Sequence, residues 1–273
     1  MIYVHDRGRM CNNILQYGHL YAWGREHGIK TMSMRFAYKY QYFHLCHTAY
    51  HHFLMYAVAK YAAKWKLIPT IDFDDPTTSF VEKEKKMLTR RSLMVTGWNV
   101  RFYDLFLKYK SEILELFAFD DVIEQHVAGV LAEAGDTKQK PLRLGMHIRR
   151  GDYARWQNGR FFFTDEQYLA IVKQFQNLFP QQQIEVYVCG NDPQLNSDYY
   201  RSVLGDAVHF PQGSPGEDLC LLSHCDYLIG PPSTFTLVAA MYRDLPLYWI
   251  KDAETALQET SFGHFDDLFQ HIL

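Results

Sequence analysis

The chain has 273 residues, 48% of them hydrophobic and 22% charged, and a formal net charge of −3. Its length suits two domains of ordinary size, and its composition excludes a disordered or fibrous chain. Its charge excludes a broad basic field for nucleic acid, so any bound anion has to be gripped by a few placed cations.

The first residues, "IYVH", form a short apolar run that predicts a strand, followed by the loop "DRGRMCN". "NILQYGHLYAWGREHG" has apolar residues at helical spacing and stops at Gly28, and "IKTMSM" predicts a second strand. Strand, tight loop, helix, strand is how nucleotide-binding α/β domains begin. Residues 44–66 predict a helix with few charges, and "IDFDDPTTSFVEKEKK" predicts an exposed loop with a short charged segment. Its apolar part, "FLMYAVAKYAAKW", is interrupted by Lys60 and is too short to span a bilayer. Residues 101–134 carry a helical pattern, and the polar stretch 134–142 is the best linker. After it the βα rhythm restarts: "LRLGMHI", "IEVYVCG", "DYLIG" and "LPLYWI" predict strands, and "TDEQYLAIVKQFQNLF", "GEDLCLLSHC" and "STFTLVAAMY" predict helices. Thr164 is a good N-cap for the first of these helices. The expectation is an α/β chain of two Rossmann-like domains facing a cleft, residues 1–136 and 141–273. The last helix has the option of packing back on the first domain.

Three loops follow consecutive strands of the second half: "RRGD" (149–152), "GND" (190–192) and "GPPST" (230–234). Open α/β sheets bind ligands at the carboxyl ends of their strands, so these loops are expected to converge on one crevice. Arg149 and Arg150 can chelate phosphate oxygens through planar forks, and Ser233 with Thr234 opens a helix whose free N–H groups welcome another oxygen. Asp152, Asp192 and Asp218 can accept hydrogen bonds from a base, a ribose or the arginines. Each piece alone has a plainer explanation, a surface ion pair or a helix cap; their coincidence at equivalent strand ends favours an anion site. Arg150-Gly151-Asp152 also spells an adhesion tripeptide, but that use requires export, and "MIYVHDRGRM" has no apolar h-region. The five cysteines, an odd number with no Cys-x-x-Cys pair, lie in apolar stretches, which fits reduced thiols and a cytoplasmic chain.

"GMHIRRGDY" resembles the HxRRxD signature of the α-1,2-fucosyltransferases and the wider α-1,2/α-1,6 and protein O-fucosyltransferase superfamily. "GRMCNNILQ" (8–16) is similar to the N-terminal loop of that family, and residues 159–172 and 217–241 resemble its later blocks, while 36–140 carries no such likeness. The resemblance implies a GT-B fold, GDP-fucose as donor, inversion at the anomeric carbon, a glycan acceptor, and no cofactor or metal. It gives the catalytic positions to Arg149, on the β-phosphate, and to Asn12 of the N-terminal loop. Donor binding falls to Gly8, His147, Arg150, Asp152, Asn191, Asp192, Asp218, Ser233 and Thr234. Two departures stand out: Arg9-Met10-Cys11 where relatives often carry Gly, aliphatic and Gly, and "PPSTFT" for Asn-Ser-Thr-Phe-Ser, where Pro232 removes a backbone donor.

His44, Cys46, His47, His51 and His52 crowd one stretch. His47 and His51 stand at i, i+4, yet no Glu separates them as in HExxH, so solvent- or cleft-facing histidines are preferred to zinc, with contact to an acceptor sugar a further expectation for some of them. Candidates for accepting the acceptor's proton are His5 and Asp6, at the end of the first strand. The expected activity is transfer of L-fucose from GDP-fucose to a glycan, with an α-1,2 linkage in surface polysaccharide or oligosaccharide synthesis. The rivals are a transferase of another GDP-sugar or linkage, and a non-catalytic nucleotide or carbohydrate module. A peripheral contact with the inner membrane is left open.

Overall fold

The computed structural model describes residues 1–133, 140–190 and 192–272. They form two compact units, Met1–Asp121 and Val122–Leu273. The division falls earlier than the sequence boundary after residue 136, and most of the expected linker, 134–139, lies outside the described residues.

In the first unit the chain runs through β1 (Ile2–His5), α1 (Met10–Glu26), β2 (Thr31–Ser33), α2 (Phe53–Lys64) and β3 (Thr70–Asp72). It continues through α3 (Phe80–Thr89), β4 (Leu93–Thr96), α4 (Tyr103–Lys108) and α5 (Lys110–Leu116). The four strands are parallel, in the order β2-β1-β4-β3. Helix α6 (Asp121–Glu133) leads into the second unit. There follow β5 (Leu142–Ile148), α7 (Asp165–Leu178), β6 (Ile184–Gly190), α8 (Ser197–Leu204) and β7 (Val208–His209), then α9 (Pro215–Ser223), β8 (Tyr227–Gly230), α10 (Thr234–Arg243), β9 (Leu247–Trp249) and α11 (Phe265–Leu268). This sheet is also parallel, in the order β7-β6-β5-β8-β9, and α11 packs on α10 of the same unit.

In each unit the first strand is internal, and successive connections leave it on opposite sides. That creates a switch point between β1 and β4, and another between β5 and β8, where the loops at the carboxyl ends diverge and leave room for a ligand. β5 and β6 are nearly continuous apolar runs because both faces of a parallel sheet are covered. Leu144, Met146, Ile148, Val186, Val188, Ile229 and the α7 face Tyr168, Ile171, Val172 and Phe175 share one buried cluster. The expected N-cap is observed: the Thr164 hydroxyl accepts from the Gln167 N–H at 3.3 Å, and Gln167 returns a bond to the Thr164 N–H.

Two expected helices are broken. Residues 44–66 form a 3-10 turn (His44–His47) and then α2, because His51 is drawn out of the helical path: its Nε2 accepts the Ser33 N–H at 3.0 Å and its Nδ1 meets the Thr48 hydroxyl at 2.7 Å. Residues 101–134 divide into α4, α5 and α6. The gap before α6 is held by backbone pairing with a distant segment, His44 N–H to Ala118 O and Asp120 N–H to Tyr42 O, both at 3.0 Å. The loop-and-charged segment after residue 70 holds the short strand β3 and the helix α3.

All five cysteines are buried and none forms a disulfide. Among the described residues no helix is long and apolar enough to cross a membrane.

Gly190 sits opposite Ile148 in the β5–β6 register, where a Cβ would lie 2.4 Å from the Ile148 carbonyl oxygen. Gly190→Ala must therefore push the two strands apart at the candidate site, and we expect a loss of about 1–3 kcal/mol in urea unfolding. A neutral substitution would contradict that close approach.

Candidate active site

The strand β5 ends in two adjacent arginines with opposite fates. Arg150 turns into the protein. Its Nη2 donates to Asp165 Oδ1, its Nη1 to Asp192 Oδ2 at 3.1 Å, and its Nε to the Phe163 carbonyl at 3.0 Å. The three side chains are 11%, 17% and 11% exposed, so this is a partly buried cluster that joins the β5 loop, the start of α7 and the β6 loop. Tyr200 donates to the same Asp165 oxygen at 2.9 Å.

Arg149 points the other way. Its Nε and Nη2 donate to Asp152 at 3.3 and 2.9 Å, and the guanidinium lies 4.7 Å from the Tyr153 ring centroid. Its Nη1 makes no hydrogen bond to any described residue. The carboxylate and the ring thus hold one edge of the guanidinium and leave the other edge with N–H groups to offer an anion.

The loop after β8 is fastened to this one. The Tyr153 hydroxyl donates to the Pro232 carbonyl at 2.5 Å, across the switch point. Ser233 is buried and caps α10, accepting the Phe235 N–H at 3.0 Å, and Thr234 is the first residue of that helix. His147 is buried and its ring stacks on Phe235, centroids 4.9 Å apart at 20°. Asp218, in the first turn of α9, has its pKa pushed up to about 7 by burial, against a hydrogen bond from Cys189 and with the nearby Glu217 charge adding to the rise. Asn191 lies outside the described residues.

The site expectations therefore divide. Arg149, Asp152, Ser233, Thr234 and His147 lie on the two loops and strand end that flank the β5–β8 switch point. Arg150 and Asp192 are brought together, but against each other, and their bond is internal to the protein. Asp165 is a site residue that sequence reasoning missed; as the first residue after the Thr164 N-cap it carries only the signal of an acidic helix start. Tyr153 had no distinguishing signal beyond its position next to the motif.

In the first unit, Gly8 has φ +89°, a conformation that L side chains rarely adopt, and a Cβ there would meet Asn12 Nδ2 at 2.6 Å. Asn12 lies in the first turn of α1. The loop is closed by Gln16, whose Nε2 donates to Arg7 O at 2.6 Å and Asn12 O at 3.1 Å while its Oε1 accepts the Arg7 N–H. Of the two proton-acceptor candidates, Asp6 is 1% exposed and receives the Ser33 hydroxyl. Burial pushes its pKa up to about 7. His5 is exposed, with its pKa lowered by partial desolvation and by Arg7, Arg35 and Lys60, so it is the accessible neutral base of the pair.

The histidine stretch does not form one face. His51 is buried in the bonds described above, and His47 pairs with Asp120 at 3.0 Å, so both have protein partners. Glu124, Cys220 and His224 are the one group among the described residues close enough to share a metal. They lie at the other end of α9 from Asp218, and His224 bonds there to the Cys220 carbonyl at 2.9 Å and to Glu124 at 3.2 Å.

Residues 68–244 match the sequence profile of Glycosyl transferase family 11. The chain belongs to that family, a family of fucosyltransferases. No curated protein matches it in sequence. Its fold is similar to that of an arginine-to-lysine mutant of Arabidopsis thaliana FUT1 in complex with GDP, at 12% identity and TM-score 0.62, covering 96% of this chain and 73% of that one. It is also similar to the fucosyltransferase NodZ from Bradyrhizobium (13%, TM-score 0.58, 91% and 94%) and to POFUT1 in complex with GDP-fucose (11%, TM-score 0.56, 89% and 94%). The glycosyltransferase thus has the GT-B-like α/β fold with parallel sheets expected from its sequence.

Two predictions follow from this geometry. Arg150→Ala leaves two partly buried carboxylates without their shared cation and should cost more in urea unfolding than Arg149→Ala, whose single carboxylate partner, Asp152, is 46% exposed. Asp6 is neutral in the folded protein up to about pH 7 but ionises near its ordinary value when unfolded. Between those values the folded state holds the extra proton, so stability falls as pH rises, by up to about 1.4 kcal/mol per pH unit. Asp6→Asn should flatten that fall in pH-dependent melts; an unchanged slope would show that Asp6 is ionised in the fold.

Proposed function

We propose that the enzyme transfers L-fucose from GDP-fucose to a glycan acceptor with inversion and without a required metal, forming an α-1,2 linkage in surface polysaccharide or oligosaccharide synthesis. The observation that carries this reading is Arg149: a guanidinium oriented by Asp152 and Tyr153 at a switch point, with its Nη1 edge unused by the described protein.

Departure of the sugar leaves charge on the diphosphate. A fixed guanidinium aimed at that oxygen binds the transition state more tightly than the ground state, which is what accelerates the step. Arg149 supplies this charge to the β-phosphate, and the N-terminal N–H groups of α10, with Ser233 and Thr234, take further phosphate oxygens. His147 supports the diphosphate and fucose side, Asn191, Asp192 and Asp218 belong to the nucleotide contacts, and Arg150 acts by holding the loops in place. Gly8 and Asn12 take part in donor binding, and His5 receives the acceptor's proton.

The reading is tested by GDP release from a panel of GDP-sugars over a panel of acceptors, with water among them. The expected result is release from GDP-fucose above other donors, reduced about 100-fold or more in Arg149→Ala. No release from any donor by folded protein would refute the catalytic reading, and preference for another GDP-sugar would refute the donor assignment.

A further inference from the structure

Helix α2 carries an outer face that the fold does not use. Only Ala59 of its twelve residues is buried; Tyr56 and Ala63 join it against Met34, Met94, Tyr3 and Ile68. On the other side stand Phe53, Leu54, Val58, Tyr61 and Trp65, followed by Leu67 just past the helix end. The spacing of the helical five, i, i+1, i+5, i+8 and i+12, lays them along one stripe. Phe53, Leu54, Trp65 and Leu67 are 65%, 66%, 66% and 72% exposed. Large apolar side chains scattered singly on a surface need no explanation, but a contiguous stripe of six does.

The charge around the stripe says what covers it. Residues 27–71 contain six Lys and Arg and no Asp or Glu, in a chain whose net charge is −3. Three of the six, Lys60, Lys64 and Lys66, are exposed on or beside α2, and none is ion-paired to a described residue. An apolar stripe with aromatic residues whose polar ends reach water, flanked by lysines with long apolar stems, suits the boundary between lipid headgroups and acyl chains. A second copy of this chain would bring lysine against lysine across a two-fold axis, which disfavours self-association.

We propose that the outer face of α2 docks the enzyme on an anionic lipid bilayer, with Phe53, Leu54, Val58, Tyr61, Trp65 and Leu67 entering the headgroup region and Lys60, Lys64 and Lys66 facing the lipid phosphates. This surface is independent of the sugar-nucleotide reading and holds whichever donor the enzyme uses.

The test is flotation of the full chain with vesicles of phosphatidylcholine alone and of phosphatidylcholine mixed equally with phosphatidylglycerol. The protein should float with the mixed vesicles, release as salt is raised, and stay behind with phosphatidylcholine alone. Each lysine near the surface contributes about fivefold, so the triple variant K60E/K64E/K66E should bind at least about 100-fold more weakly. F53S/L54S/W65S should also lose flotation, and both variants should keep the parent's thermal melt because the replaced side chains are exposed. Absence of flotation with anionic vesicles, or flotation that neither variant changes, would overturn the proposal. So would a concentration-dependent dimer that both variants abolish while the parent stays off the vesicles, which would assign the face to a second copy.

Discussion

The candidate site depends on one partly buried ion cluster. Arg150 crosses from the end of β5 to Asp165 at the start of α7 and to Asp192 after β6, and its Nε ties down the Phe163 carbonyl. An ion pair taken out of water is tolerated only when its hydrogen bonds are made well, and losing one partner leaves an uncompensated charge in a poor solvent. The cluster therefore fixes where the β5 loop emerges, and with it the direction in which Arg149 leaves the sheet. Two neighbouring guanidinium groups with the same chemistry come to do different work: one is consumed by the fold and the other is presented by it.

Around that constraint the other contacts are short and local. Tyr153 sits under Arg149 and donates to the Pro232 carbonyl, so the loop that carries the cation is tied to the loop that opens α10. Pro232 lacks an N–H, but its carbonyl is what this bond needs, so the proline departure from the family pattern leaves the fastening intact. Gln16 plays a comparable part in the first unit by closing the loop that holds Gly8 and Asn12. In both units a carboxyl near the carboxyl end of the sheet has its pKa pushed up to about 7, Asp6 in one and Asp218 in the other, because desolvation outweighs the hydrogen bond each receives from a side chain.

Much of this was legible in the residues. β5 and β6 were readable end to end because they are apolar on both faces, and Thr164 was readable as a cap because capping is a local property. The placing of the three loops after residues 148, 190 and 230 at strand ends followed from parallel-sheet topology. What escaped the sequence is non-local. The helix break at residues 48–52 depends on His51 reaching Ser33, and the gap before α6 depends on backbone bonds to residues 42–44. The strands β3 and β7, of three and two residues, are too short to carry a period. The distinction between Arg149 and Arg150 is of the same kind, since it turns on Asp165 and Asp192, which are remote in sequence from the motif. The outer face of α2 was visible in the sequence only as a hydrophobic segment too short to span a bilayer; its exposure is a property of the fold.

The central claim is that Arg149 is the anion-binding arginine and Arg150 the structural one. A crystal structure of the GDP complex tests it directly. The account predicts a β-phosphate oxygen in hydrogen-bond contact with Nη1 of Arg149, while Arg150 keeps both Asp165 and Asp192. A diphosphate bound to Arg150 with those ion pairs broken, or GDP seated away from Arg149, would contradict it.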